Sequence, residues 1–181
     1  MTAPGYALFD TAIGRCAIAW GERGILAVQL PEANDRATRA RLLRRCSGAS
    51  EMPPAEVKRV CEDIIALLDG EAIDLKSVAL DMQAISSFER RVYEIARAIP
   101  PGETLTYGEI ANRLGEPSAA REVGQALGRN PFPIVVPCHR VQAAGGKAGG
   151  FSAPGGVATK LRMLQIESVH TKGTLFARER G

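Results

Sequence analysis

The sequence predicts an α+β protein, a small α+β unit at the N-terminus followed by a mainly helical C-terminal unit. Three observations lead there. The first thirty residues hold three short apolar runs separated by turn residues, the pattern of strands. Residues 53–70 carry apolar side chains at helical spacing. From residue 86 onward, helix-capping residues and Pro/Gly stops mark out a series of helices.

Residues 6–9, 16–20 and 25–30 are the expected strands. Gly21-Glu22-Arg23-Gly24 reads as a four-residue hairpin loop, and Pro31 stops the third strand. Residues 35–46, rich in Arg, Ala and Leu, read as a polar-faced helix broken by Ser47-Gly48-Ala49-Ser50. Pro53-Pro54 opens a second helix with Val57, Val60, Cys61, Ile64 and Leu68 on one face, and Gly70 ends it. Cys61 on that face reads as core packing. Nothing in this unit carries visible chemistry. The expected divisions are residues 1–78, a linker over 79–85, and residues 86–181.

In the second unit, Ser86 with Glu89 forms a capping box ahead of Phe88, Val92, Ile95, Ala96 and Ile99, and Pro100-Pro101-Gly102 stops that helix. Thr106-Tyr107-Gly108-Glu109 is a second box, opening a short helix through Leu114. Gly115-Glu116-Pro117 turns the chain, and Ser118 is expected to cap a helix over 119–127. Two short helices around a Gly-containing turn make a helix-turn-helix candidate, though many such pairs never touch DNA. Small residues at Ala119 and Ala120 would let the backbone approach a groove. Arg121 then projects into that groove, or it is a solvated surface arginine.

Ile134-Val135-Val136-Pro137-Cys138-His139-Arg140-Val141 reads as a short buried strand stopped by its proline. Cys138 follows where the strand gives way to a turn, with basic neighbours that can lower a thiol's pKa. The other reading is an inert buried cysteine beside a surface His-Arg pair. Residues 145–156 are glycine-rich but have neither Walker nor GxGxxG spacing. They suit the wall of a pocket where backbone groups approach a flat ligand. A last helix is expected over about 157–167, with Val157, Leu161 and Leu164 inward. Glu167 at its end is either a surface carboxylate or a buried partner for a histidine. Residues 168–181 are expected to fray.

Apolar content of 45% and charged content of 24% are ordinary for a globular protein. Residues 1–79 carry 10 Lys/Arg against 11 Asp/Glu, and residues 80–181 carry 13 against 9, so the net +3 lies in the C-terminal half. That placement is compatible with a polyanionic partner. Cys16, Cys46, Cys61 and Cys138 form no CxxC, which argues against a disulfide framework and for a reducing compartment. With only His139 and His170, no Cys/His cluster has metal-ligand spacing. No apolar run is long enough for a membrane span and no signal peptide is visible, so the expected location is cytoplasmic.

Taken together, the chain resembles the O6-alkylguanine-DNA alkyltransferases, also called methylated-DNA–protein-cysteine methyltransferases. The resemblance is strong over about residues 80–168. It rests on Phe88, Ile99-Pro100-Pro101-Gly102, Tyr107-Gly108-Glu109-Ile110-Ala111, Ala119-Ala120-Arg121, Asn130-Pro131, Pro137-Cys138-His139-Arg140-Val141 and the Gly-Phe-Ser loop. It implies a ribonuclease-H-like N-terminal domain, a helix-turn-helix that enters the minor groove, and irreversible transfer of an alkyl group from guanine O6 in duplex DNA to Cys138. O4-alkylthymine is left open as a second substrate. By the same resemblance His139 takes the thiol proton through a water, Glu167 orients that histidine, Asn130 braces the site, and Tyr107 helps rotate the nucleotide and donates to guanine. Arg121 fills the gap left in the base stack. Ala119, Ala120, Thr106, Tyr107, Gln125 and Arg129 join it on DNA, and Pro133, Val141, Gly149, Gly150, Phe151 and Ser152 line the pocket. A monomer with no cofactor and no metal is implied.

Some residues depart from the family pattern. Phe151 stands where Tyr is usual, Ala153-Pro154 lengthen the pocket loop, Tyr93 stands where Trp is frequent, and the N-terminal zinc ligands of some members are absent. Three other readings compete. An alkyltransferase-like lesion sensor typically lacks the cysteine. A thiol hydrolase would need an oxyanion-hole motif, which is not visible. A plain helix-turn-helix regulator leaves the Cys-His pair unexplained.

Overall fold

The computed structural model describes residues 3–144 and 156–178, with side chains described to residue 168. The fold is mixed α+β. Strands β1 (Gly5–Thr11), β2 (Gly14–Gly21) and β3 (Gly24–Gln29) form an antiparallel meander. A two-residue strand β4 (Ala49–Ser50) adds in parallel beside β1, giving the order β3-β2-β1-β4. Residues 47–50 are therefore more than a helix breaker, although two residues are too few to show a strand period. The β2–β3 loop is also tighter than expected, because Gly21 pairs with Gly24 and only Glu22 and Arg23 lie between them.

β2 is covered on both faces. Ile18 and Trp20 enter the main core, while Ala17 and Ala19 join Ala27 and Leu42 on the opposite side, as the two-residue side-chain period dictates. Those small side chains seat α1 (Asp35–Leu42), which Asn34 caps by accepting the Ala37 N–H at 2.9 Å. This helix ends four residues before the expected 46, passing into a turn over 43–45. On the main-core side lies α2 (Ala55–Leu68), whose Val57, Cys61, Ile64, Leu67 and Leu68 are buried.

Residues 79–85 are bonded along much of their length. Ile25 N–H donates to Ala79 O at 2.9 Å and Asp81 N–H donates to Ile25 O at 2.8 Å. A Cβ on Gly24, whose φ is +120°, would collide with the Ala79 carbonyl, so this approach requires glycine. From the other side, α3 (Ser87–Arg97) reaches over with two arginines. Arg90 donates to the carbonyls of Met82 and Ile85, and Arg97 donates to those of Leu75, Lys76 and Val78. One hydrophobic cluster runs from Ile18 and Trp20 through Ile64 and Val92 to Val136 and Met163.

Ser86 caps α3 as expected, accepting the Glu89 N–H at 3.2 Å, and its hydroxyl donates to the Glu89 carboxylate at 2.8 Å. After β5 (Leu105–Thr106), Thr106 caps α4 (Tyr107–Arg113) through the Glu109 N–H at 3.1 Å. Gly115, at φ +76°, turns the chain toward α5 (Ala120–Gly128). Ser118 does not cap this helix. A turn closed by Ala119 N–H on Glu116 O carries the chain one residue further, and Ala119 takes the cap position with no side-chain bond. Tyr93 is fully buried on α3 and donates its hydroxyl to Ala126 O on α5 at 2.7 Å, so it bonds as well as packs.

The apolar run before Cys138 is buried but is not a strand. Ile134 has φ 76°, Pro133 and Val136 form an isolated bridge, and Val136 N–H donates back to Phe132 O at 2.8 Å. A β-branched residue in the left-handed region costs on the order of 1–2 kcal/mol. The surrounding hydrogen bonds must impose that conformation. Cys138–Arg140 is a single 3₁₀ turn, and β6 (Val141–Gln142) then pairs in parallel with β5. The last helix, α6 (Gly156–Arg178), extends well beyond the expected end at Glu167, with no proline to stop it. Its inward face is also different from the expected one. Val157 and Leu161 are 47% and 53% exposed, whereas Lys160, Met163 and Glu167 are buried.

Candidate active site

The site is assembled from the tight turn after α5, the 3₁₀ turn and α6. Asn130, 7% exposed, organises the first of these. Its Oδ1 accepts the Phe132 N–H and its Nδ2 donates to Val136 O, both at 2.9 Å. One amide thus closes the loop that carries the chain into Cys138, and it also favours the ionised form of the thiol.

His139 and Arg140 are not a surface pair; they are 1% and 5% exposed. Both converge on Glu167. His139 Nε2 lies 2.7 Å from Glu167 Oε1, while Arg140 Nη2 and Nε donate to Oε1 and Oε2 at 2.8 and 3.0 Å. Arg140 Nη1 also donates to Ile99 O at 2.7 Å. Burial alone would raise the Glu167 carboxyl, but the His139 and Arg140 hydrogen bonds and charges hold it down, at about 2. An ionised Glu167 only accepts, so Nε2 carries the proton of a neutral imidazole and Nδ1 carries the lone pair. Nδ1 is buried and has no partner among the described residues. Burial keeps His139 below its usual value of 6.5 despite Glu167, so the ring is a neutral base at physiological pH.

Cys138 is partly exposed. Contrary to the expectation of a depressed thiol, burial among protein atoms pushes its pKa above 9.0. Asn130, the charge of Lys160 and the backbone N–H groups of Cys138 and His139 pull it part of the way back. The basic neighbours read from the sequence do not do this, because Arg140 is spent on Glu167. The resting sulfur is therefore a thiol whose ionisation is prepared for but incomplete.

Lys160 was not foreseen. It is 2% exposed and its Nζ donates to Val141 O at 2.7 Å, fixing the strand that leaves the 3₁₀ turn. Its only sequence signal is the i, i+7 spacing to Glu167, which puts both on one face of α6. Tyr107 lies against α5, where a Cβ on Gly124 would come within 3.5 Å of its ring. Burial raises its hydroxyl pKa, and so would a charge on Cys138.

The other expected residues divide by position. Ala119 and Ala120 are half-buried at the start of α5, while Arg121, Gln125 and Arg129 are exposed along it. Arg129 forms an ion pair with Glu89 at 3.6 Å. Thr106 and Val141 lie in the β5–β6 pair, and Pro133 in the turn before the cysteine. Gly149, Gly150, Phe151 and Ser152 lie outside the described residues. No group of three or more His, Cys, Asp or Glu side chains suited to a metal occurs among the described residues. No described helix is long and apolar enough to cross a membrane.

Comparison with known proteins points to one family. The family model for the DNA-binding domain of 6-O-methylguanine DNA methyltransferase matches residues 87–169. A methylated-DNA–protein-cysteine methyltransferase of Methanothermobacter thermautotrophicus is 38% identical over 156 residues, covering 86% of this chain and 81% of that protein. The crystal structure of the Mycobacterium tuberculosis O6-methylguanine methyltransferase superposes with a TM-score of 0.75 at 32% identity, over 92% of this chain and 94% of that one. The Mycobacterium tuberculosis OGT in complex with DNA gives a TM-score of 0.73 at 34% identity, over 91% and 93%.

Proposed function

Since the chain belongs to the methylated-DNA–protein-cysteine methyltransferases, enzymes of direct alkyl-transfer DNA repair, we propose that Cys138 is its acceptor and O6-alkylguanine in duplex DNA its substrate. The observation that carries this reading is the buried neutral imidazole of His139, anchored through Nε2 on Glu167, with an Nδ1 that has no partner among the described residues and a partly exposed cysteine next to it in sequence. His139 Nδ1 takes the thiol proton, through a water, as sulfur attacks the alkyl carbon. The S–C bond forms, the C–O6 bond breaks, and guanine leaves as the anion or is protonated by Tyr107 as it leaves. Lys160 and the 3₁₀-turn amides stabilise the negative charge that develops on sulfur as its proton leaves during attack. Glu167 and Arg140 touch neither sulfur nor substrate and act as positioning residues.

The target oxygen lies inside the duplex, so the nucleotide is flipped out at a cost of a few kcal/mol. α4, the Gly115 turn and α5 serve as a helix-turn-helix in the minor groove, Ala119 and Ala120 allow close approach, and Arg121 occupies the vacated stack. The thioether product has no reversing group in this site, so each molecule reacts once, with no cofactor. The order β3-β2-β1-β4, with β4 parallel to β1, supports a ribonuclease-H-like N-terminal half. The chain's divisions are residues 1–78, a linker over 79–85 and residues 86–181, and it acts as a cytoplasmic monomer.

The test is label transfer. Duplex DNA with methyl-labelled O6-methylguanine should leave at most one label per chain, on the Cys138 peptide, and none on Cys138→Ala. Binding without transfer would favour a lesion sensor, and repeated turnover of a thioester would favour a hydrolase.

A further inference from the structure

Positive charge is distributed unevenly within the N-terminal half, in a way its near-zero net charge hides. Five of its ten basic residues, Arg36, Arg39, Arg41, Arg44 and Arg45, fall within residues 36–45 on α1 and the turn after it. Arg41 is held by Glu32 at 3.2 Å. Arg36, Arg39, Arg44 and Arg45 are exposed, and among the described residues none of the four forms an ion pair. Arginine is a good helix former, so a solvated basic helix would need no further account.

The position of the strip argues for more. Arg45 Nη1 donates to the backbone carbonyl of Arg129, 84 residues away, at the C-terminal end of α5. Arg41, Arg45, Gly128 and Arg129 line one open cleft of about 780 Å³, with Asp81 as its one carboxylate. At ~1.5 Å per residue, Arg129 lies about 12 Å along α5 from Arg121, roughly the axial rise of three to four base pairs. Arg121 and Gln125 on α5 and Arg129 just after it are exposed at four-residue spacing, which sets them along one side of the helix, and Arg129 is also ion-paired with Glu89. The basic strip is therefore continuous with the helix read as entering DNA.

We propose that Arg44 and Arg45, beside Arg129 and within the field of Arg36 and Arg39, grip the phosphate backbone of the duplex that α5 enters, extending the DNA footprint onto the N-terminal half. This rests on the reading of α5 given above. Phosphate contacts of this kind position the protein and are sequence-independent. They also give affinity a measurable salt dependence, because each neutralised phosphate releases counterions.

The experiment is anisotropy titration of a fluorescent, unmodified duplex of two helical turns at a series of NaCl concentrations. The proteins are the wild type, Arg44→Ala, Arg45→Lys and the double variant Arg44→Ala/Arg45→Ala. Two lost contacts should lower the slope of log K against log salt by about 2 and weaken binding roughly tenfold near physiological salt. Arg44→Ala alone, which breaks no bond within the protein, should give about half the change in slope. Arg45→Lys should keep the slope. Reaction with free O6-benzylguanine should be unchanged in all of them. A double variant with wild-type slope and affinity overturns the proposal, as does weaker binding at unchanged slope, which would mean structural damage only. If the wild type transfers label to Cys138 while the double variant binds like it, only this inference fails. If the wild type neither binds nor transfers, the reading of the site fails with it.

Discussion

Cys61 and Cys138 are both cysteines set into protein, and burial raises both thiols. Their surroundings differ completely. Cys61 sits on the inner face of α2 among Val57, Ile64 and Leu68, and its thiol is pushed up to about 11 with little to oppose it. Cys16, on β2, goes to about 12. Cys138 instead has Asn130, Lys160 and two backbone N–H groups that favour the thiolate, with a neutral base next to it in sequence. Burial by itself makes a cysteine inert, and it is the buried polar partners that make one usable.

The largest expected effect tests that contrast directly. Cys138→Ala should abolish label transfer, while Cys61→Ala and Cys16→Ala should keep one label per chain and cost only ~1–2 kcal/mol of stability by denaturant titration. Transfer lost in Cys61→Ala at full stability would break the distinction. Next in size is Glu167→Ala, which strands Arg140 and leaves His139 Nε2 unpaired. Removing one member of a buried ion pair costs about 3–5 kcal/mol. The transfer rate of the folded fraction should fall as well, and Glu167→Gln should recover more stability than rate. Equal recovery of both would assign Glu167 to structure alone.

Arg121→Ala should slow repair of duplex DNA by roughly tenfold or more, while reaction with free O6-benzylguanine stays near wild type. Equal losses on both would remove the wedge role. Tyr93→Phe removes the hydroxyl given to Ala126 O and should cost about 1 kcal/mol, with no change in reaction with the free base.

Acid stability sharpens the same comparison. The Glu167 carboxyl is lowered from 4.5 to about 2 in the folded protein. Its contribution to stability is therefore complete above about 4.5 and is lost as pH falls toward 2. Glu167→Gln should flatten the stability profile in that window, whereas Cys61→Ala should leave its shape unchanged.

Much of this was legible from the sequence where a local rule decides the structure. Ser86, Thr106 and the face of α2 are fixed by neighbours within a few residues. The pattern failed where distant groups decide. Ile134-Val135-Val136 has the composition of a strand, but the Asn130 amide and the Phe132 carbonyl fold it into a turn. On α6, apolarity pointed to Val157 and Leu161 as the inward residues. The helix instead buries Lys160 against Val141 O, and of the two readings of Glu167 the buried one holds, against His139 and Arg140. Arg140 reads as a surface residue until Glu167 and the Ile99 carbonyl are placed around it. A buried polar side chain is visible in a sequence only once its partner is known.

The central claim is that His139 deprotonates Cys138 during reaction, so that the sulfur need not be ionised beforehand. Single-turnover transfer to the wild type, measured from pH 6 to 9, tests it most directly. With His139 held below its usual 6.5, the rate should be nearly level from pH 7 to 9, where the ring is a neutral base. A rate that climbs roughly tenfold with each pH unit up to 9 would mean that only preformed thiolate reacts, and would contradict the account.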